Sequence, residues 1–431
     1  HQPNFVMWRS LWWLMLPILF GPTLAYDCTQ SNMSLVFGQT AAFSNPTSQI
    51  ALELNLGLEL AFNETNKIFG GVGGFLLEIR KQDNGGSAVV AVNQTWELAQ
   101  SQVLAIVGST NSQASIASNN LSASLGVPFV GAWSGASQLR SPVNKYTINV
   151  RASFVDETIA MLSYTSQVLK FKRMSVFFQQ DSLSSYGYEN QLPSALAFYG
   201  ITLCSQGLYS TENDYNATGA NNVLSGSCTP QIIGMIGTYN VLAHFVVDIV
   251  SHLPEVRFVM SSYAGPGPFA ENLMDFNVSA LTPSGQPRFY MTQVVPNPSN
   301  TSIPLVVDFQ TAYNAYYQFS LIQANFSRAY VPFEGYITGR LIVQALQATR
   351  EVGNKPLLRC DLQNRSVFID TFWQQTSYLI SGFSLGPYAY TTNGCDANNN
   401  NSCCNQVTFL SFNRPTHGLY DVSGWQLYIS R

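Results

Sequence analysis

The sequence predicts an α/β protein of two doubly wound parallel-sheet lobes. Three observations predict it. Short apolar runs alternate with longer helical segments along most of the chain, the pattern of βαβ units feeding a parallel sheet. At 431 residues the chain exceeds one ordinary core, and the alternation starts afresh after residue 150. Glycine- and hydroxyl-rich loops follow several of the apolar runs, where open α/β sheets present their ligand sites.

In chain order, residues 35–38 read as the first strand. Asn45-Pro46 then starts a helix as cap and first-turn proline. Leu52, Leu54, Leu56, Leu58 and Leu60 alternate as in a strand, whereas Ile50, Leu54, Leu58, Ala61 and Phe62 keep helical spacing. Length and capping decide for a helix. The glycines of 70–74 form a turn into a strand over 75–80; a phosphate-cradling loop would lead into a helix instead. Strands at 104–107 and 128–130 flank a helix beginning near Asn111, and 146–150 closes the first series.

The second series runs helix 155–169, strand 174–178, helix 188–198, strand 232–236, helix 241–252 and strand 257–260. A strand over 289–294 and a Pro/Asn-rich passage follow, then helices over 305–319, 333–350 and 367–375. The segments 405–412 and 425–429 are strand-like, and 393–401 is a polar low-complexity loop.

The N-terminal region reads as a secretory signal peptide over residues 1–25. From Met7, a basic start at Arg9 leads into an apolar run over 11–20 and small residues at Thr23 and Ala25, with cleavage expected after Ala25. A run of about ten residues is too short to cross a bilayer core about 30 Å thick, which favours the signal peptide over the competing reading, an uncleaved anchor. Residues 1–6 precede Met7 and read as lying outside the translated protein. Any membrane attachment is then expected from an anchor beyond Arg431.

Charge and cysteine content agree with an extracellular setting. Charged residues make up only 10% of the chain against 46% hydrophobic, a surface short of charge. Ten Asn-x-Ser/Thr triplets, at Asn32, Asn63, Asn93, Asn120, Asn216, Asn277, Asn300, Asn325, Asn364 and Asn400, supply glycan sites that would hydrate it. Seven cysteines fit an oxidising compartment. Cys204 and Cys228 bracket a polar loop; Cys395, Cys403 and Cys404 cluster, with Cys360 upstream and Cys28 at the mature start. Disulfides are the preferred reading over zinc, because no histidine sits near the cluster and its spacings are irregular. A net charge of −4 without any Lys/Arg block gives no sign of nucleic-acid binding.

Two strand-end loops carry the strongest functional signal. After the run ending at Val107 comes Gly108-Ser109-Thr110-Asn111-Ser112, opening a helix whose unpaired N–H groups and hydroxyls suit a carboxylate or other anion. The same residues also serve simply as helix caps. After 128–130 comes Gly131-Ala132-Trp133-Ser134-Gly135-Ala136, small residues that let a ligand approach the backbone around one large aromatic. Trp133 either packs as a core or rim residue or stacks on a ligand. In the second series, Tyr186 and Tyr239 occupy comparable strand-end loops, where they either pack locally or contact a ligand. Catalysis finds little support. Of four histidines, His1 precedes the mature chain, His244 and His252 share one helix, and His417 lies in a loop; no HExxH, GxSxG or Walker-type element occurs. The chain is therefore expected not to be an enzyme, with no cofactor and no metal.

The segments VFGQTAAFSNPTSQIALELNLGLELAFNETN, AIVGSTNS, GVPFVGAWSGASQLRSP, YTINVRASFVDET, QQDSLSSYGYENQL, GMIGTYN and FEGYITGRLIVQAL, in that order, resemble the branched-chain amino-acid (Leu/Ile/Val)-binding proteins of the type I periplasmic binding fold, the extracellular ligand-binding receptor family. The resemblance spans about residues 34–345. It implies two lobes joined by a three-crossover hinge, lobe 1 taking 27–149 and 293–404, lobe 2 taking 150–292 and 405–431. It implies that Ser109, Thr110 and Ser134, with the backbone of Gly135 and Ala136, hold a ligand's polar head, and that Tyr186 and Tyr239 close over it from lobe 2. One departure concerns the acid that pairs with a ligand ammonium in this family. Here that turn reads Gly265-Pro266-Gly267-Pro268, and Glu271 is out of place. The expected ligand is thus an amino-acid-like or other small polar or anionic molecule. The expected role is the sensing ectodomain of a eukaryotic surface receptor that closes by a hinge, with a homodimer through lobe 1 as a further expectation. The alternatives are a structural or adhesive glycoprotein that has lost its ligand, or an enzyme acting in the same cleft.

Overall fold

The computed structural model describes residues 34–142, 144–179, 188–209, 215–318, 325–351 and 364–370, with strand segments at 395–396, 400–401, 406–413, 418–421 and 427–428. The first sheet holds β1 (Ser34–Ala41), β2 (Leu76–Asp83), β3 (Ile106–Val107), β4 (Phe129–Val130) and β5 (Thr147–Ile148), all parallel, in the order β2-β1-β3-β4-β5. Between them run α1 (Ser48–Phe69), α2 (Ala88–Gln100) and α3 (Ser112–Ser124).

The second sheet is built from β6 (Arg173–Gln179), β7 (Thr202–Tyr209), β8 (Ile232–Ile236), β9 (Arg257–Met260) and β10 (Phe289–Gln293), parallel in the order β7-β6-β8-β9-β10. Its helices are α4 (Phe154–Ser163), α5 (Tyr188–Tyr199), α6 (Ala217–Leu224), α7 (Tyr239–His252) and α8 (Pro266–Asp275). A capping box starts α4: Ser153 Oγ accepts from Asp156 N, and the Asp156 carboxylate accepts from Ser153 N. After β10 the chain returns to the first sheet's side with α9 (Pro304–Tyr317) and α10 (Tyr330–Glu351). A two-stranded pair, β11 (Cys395–Asp396) and β12 (Asn400–Asn401), precedes β13 (Gln406–Asn413). β13 then joins β10 antiparallel and pairs with β14 (Gly418–Asp421) and β15 (Leu427–Tyr428).

Helical spacing in α1 is realised as expected: Ile50, Leu54, Leu58, Ala61 and Phe62 are all buried, and Leu52 is exposed. The helix starts later than expected, at Ser48. Asn45 does not cap it; its Oδ1 accepts from Thr47 N and Thr47 Oγ1 at 2.9 Å, a local turn that competes with helix. The stretch between Cys204 and Cys228, expected as a polar loop, instead carries β7 and α6. β7 is an edge strand that alternates between buried and partly exposed residues, so no continuous apolar run announced it. The Cys204–Cys228 disulfide closes across this pair of elements.

Alpha helices α1 and α10 pack with almost no gap. A Cβ added at Gly57 would sit 1.9 Å from the Pro332 carbonyl oxygen, and one at Gly335 would sit 2.2 Å from the Leu54 carbonyl oxygen. Both obstacles are backbone, so neither can swing aside. Gly57→Ala is therefore expected to destabilise by about 3 kcal/mol, the range of overpacked cores, read as a lowered denaturant midpoint at unchanged slope. A neutral result would mean that the two helices separate freely.

Candidate functional site

The site forms where the carboxyl ends of the first sheet's strands face the second body. Glycine follows both β3 and β4 because each strand turns sharply against a neighbour. Gly108 has φ +58° and faces Leu58 and Gln39; Gly131 has φ +65° and faces Thr338, 2.3 Å from where a Cβ would lie. The two loops then run side by side. Trp133 N donates to Ser109 O at 2.8 Å, and Ser112 Oγ and Ser134 Oγ are 2.9 Å apart.

Capping separates the residues of the first loop. Asn111 caps α3, its Oδ1 accepting from Ala114 N at 3.0 Å. Ser109 Oγ accepts from Ser115 Oγ at 3.1 Å, and Thr110 Oγ1 accepts from Ala42 N at 3.0 Å. The result is a buried hydroxyl cluster over the N-terminal turn of α3. Ser134 Oγ also accepts from Ala136 N at 3.2 Å.

The second body reaches this cluster directly. Trp133 Nε1 donates to Tyr263 O at 3.3 Å, and Phe154 N donates to Gly135 O at 2.9 Å. A Cβ on Gly135 would meet the Phe154 ring at 2.5 Å. Tyr239, at the start of α7, donates its hydroxyl to Pro46 O at 2.7 Å. Ser109, Thr110, Trp133, Ser134, Gly135, Ala136 and Tyr239 are thus all buried at one seam between the bodies. Tyr186 lies outside the described residues, as do Cys28, Cys360, Cys403, Cys404 and Asn32.

A buried charge cluster at this seam had no counterpart in the sequence reading. Arg151 lies with its guanidinium 4.1 Å from the Trp133 ring centre, its Nε 3.5 Å from Glu334 Oε1, and its Nη2 donating to Ser262 Oγ. Glu157 accepts from Ser262 N at 2.7 Å and from Thr292 Oγ1. Arg140 ties the β4 loop to the crossover, donating to Ala136 O and Arg151 O at 2.9 Å each. Burial pushes the Glu334 carboxyl up to about 7; Arg151 holds it down and Glu157 pushes it up. The turn at Gly265–Pro268 indeed brings no acid: Glu271 is exposed, with its Oε1 3.5 Å from Arg328 Nη1. Buried carboxylates reach the seam from α4 and α10 instead. A charged residue inside an otherwise apolar helix stretch, as at Glu334, was the available signal.

Among the described residues there is no group of three or more side chains suited to a metal ion. No described helix is long and apolar enough to cross a membrane.

Two α/β bodies joined by a recrossing chain, with strand-end loops meeting across the seam, are the architecture of a two-lobed ligand-binding protein. The chain belongs to the periplasmic binding protein family, which matches it over residues 35–357. This is a family of binding proteins, not of enzymes. Among solved structures, a possible leucine/isoleucine/valine-binding protein from Rhodopirellula baltica superposes with a TM-score of 0.73 at 22% identity, covering 92% of this chain and 98% of that one. An extracellular ligand-binding receptor from Verminephrobacter eiseniae gives 0.69 at 18% identity, over 90% and 99%. The branched-chain amino acid transporter substrate binding protein LivJ from Streptococcus pneumoniae, in complex with isoleucine, gives 0.67 at 15%, over 90% and 97%. At these identities the likeness establishes the fold. A comparison with curated protein sequences yields no match.

Proposed function

We propose that this chain is an extracellular sensing clamp that binds a small polar or anionic molecule, amino-acid-like in size, between its two lobes. The observation that carries the reading is the meeting of Ser109, Thr110, Ser112 and Ser134 over the N-terminus of α3, with Trp133 and Tyr239 linking the lobes. Hydroxyls and helix N–H groups favour a carboxylate there. A ligand ammonium would need a counter-charge, and Glu157 Oε1 is a buried carboxylate oxygen without a hydrogen-bond partner. In this reading lobe 1 comprises 27–149 and 293–404, lobe 2 comprises 150–292 and 405–431, and lobe closure is the signal.

The extracellular assignment is supported by the Cys204–Cys228 disulfide. It is also supported by the sequon asparagines: Asn63, Asn93, Asn120, Asn216, Asn277 and Asn325 are exposed, and Asn300 and Asn364 are half-buried. The proposal extends to a receptor ectodomain that pairs through lobe 1.

The test is a screen of amino acids and small carboxylates for a rise in melting temperature. A ligand at 100 times its Kd stabilises by about 2.7 kcal/mol. Ser134→Leu is expected to abolish that rise. Glu157→Gln is expected to weaken amino acids while sparing carboxylates that lack an ammonium. A specific observation favours one rival, a structural glycoprotein without ligand: each hydroxyl of the cluster already has a partner within the chain. No stabilisation by any compound in the screen would decide for that rival.

A further inference from the structure

Two surface cavities of the first body share a feature: a sequon asparagine stands in the wall of each. One, of about 530 Å³, lies between α2 and α3 and is lined by Val92, Asn93, Trp96, Glu97 and Leu121. The other, of about 480 Å³, lies between α1 and α9, and its walls include Leu60, Asn63, Ile68 and Tyr316. Both carry large apolar side chains left in water: Trp96 is 49% exposed, Ile68 62% and Tyr316 57%. Cavities of this size take a group of disaccharide dimensions.

We infer that the N-glycans on Asn93 and Asn63 fold back into these cavities, the first on Trp96 and the second on Ile68 and Tyr316. The inference rests on the secretory route proposed above. Its own support is geometric. The attachment side chain belongs to the cavity wall, so the occupant is held there by a covalent bond and loses little freedom on docking. A pyranose ring presents one face of C–H groups, which packs on an aromatic ring, while its hydroxyls stay in water or bond the carboxylates beside it. Glu97 and Glu64 line the respective cavities. One oxygen of each is engaged, Glu97 Oε2 by Gln82 Nε2 and Glu64 Oε2 by the Tyr336 hydroxyl and Arg340, which leaves Oε1 of each as the acceptor offered to the sugar. Uncovered, these patches would be association hazards on a chain with only 10% charged residues. Asn277 makes the contrast: it is exposed and lines neither cavity.

The experiment uses the protein secreted from a eukaryotic host, digested in its native state with an endoglycosidase and followed site by site by peptide mass spectrometry. Asn93 and Asn63 are expected to be glycosylated and to release their sugars more slowly than Asn277. Trp96→Ala is expected to speed release at Asn93 about fivefold, the factor one aromatic contact confers, and to leave Asn63 unchanged. Asn93→Gln is expected to raise binding of an apolar-surface dye. Glycans on Asn216 and Asn277 with none on Asn93 and Asn63 would overturn the inference alone. So would release at Asn93 as fast as at Asn277 and indifferent to Trp96→Ala. A secreted protein without glycan at any site would remove the secretory reading as well.

Discussion

Arg151→Met is expected to cost about 3–5 kcal/mol of stability at pH 8, the loss typical of a buried ion pair deprived of one partner. Arg151 is 1% exposed, and its Nε lies 3.5 Å from Glu334 Oε1; Arg140 also helps to hold that carboxyl down, but less than Arg151. Removing it leaves a buried carboxylate with Glu157 close enough to repel it. The loss depends on pH, and the sign follows from Glu334. Burial already raises that carboxyl to about 7, above its ordinary 4.5. A group raised on folding contributes stability that is complete below its unfolded value and lost as pH rises through the folded one. With a folded value of about 7, Glu334 is largely protonated at pH 6 even with Arg151 present. A further rise without Arg151 therefore costs nothing there and about 1.4 kcal/mol at pH 8, and the deficit is expected to be smaller at pH 6 by that amount. Denaturant midpoints at pH 6 and pH 8 measure this directly. Adding Glu334→Gln to the variant is expected to recover that part of the loss at pH 8. A deficit equal at both pH values would show that Arg151 acts through Trp133 and Ser262 instead.

What was legible in the sequence divides along the range of the interactions. The βαβ alternation, the helical face of α1 and the two hydroxyl- and glycine-rich loops are local patterns, and the structure realises each where it was read. Ser109 and Ser134 were separately visible as strand-end residues. Their loops meet because β3 and β4 are neighbours in the sheet. β7 and α6 escaped notice, since an edge strand and a short helix with Gly219 inside it bury too little to impose an apolar run. The charge cluster escaped for a different reason. Arg151 meets Ser262 across 111 positions, and Glu157 meets Thr292 across 135. Only the passage of the chain back and forth between the sheets brings them together. Isolated charges in apolar surroundings were present in the sequence, but nothing local paired them.

Trp133 connects the legible loop to the hidden cluster, and its replacement carries the second large expected effect. Trp133→Ala is expected to cost about 3–5 kcal/mol, the range for removing a buried aromatic. Three contacts disappear together: the ring over Arg151, the packing in the seam, and the Nε1 donation to Tyr263 O. Two of them cross to residues beyond β5, so the same variant is expected to loosen the lobes. Small-angle scattering would read this as a larger radius of gyration without ligand. Trp133→Phe separates the contributions, because it keeps an aromatic face for Arg151 and loses the hydrogen bond, at about 1 kcal/mol. A cycle combining Trp133→Ala with Arg151→Met is expected to be less than additive by about 1–3 kcal/mol, as for residues in direct contact. Additivity would mean that the cation and the ring stabilise the fold independently. A Trp133→Ala protein of full stability that has lost only ligand affinity would assign the ring to the ligand. The expected result, lost stability with an opened seam, assigns it to holding the lobes together, so that any ligand must bind beside this contact rather than in its place.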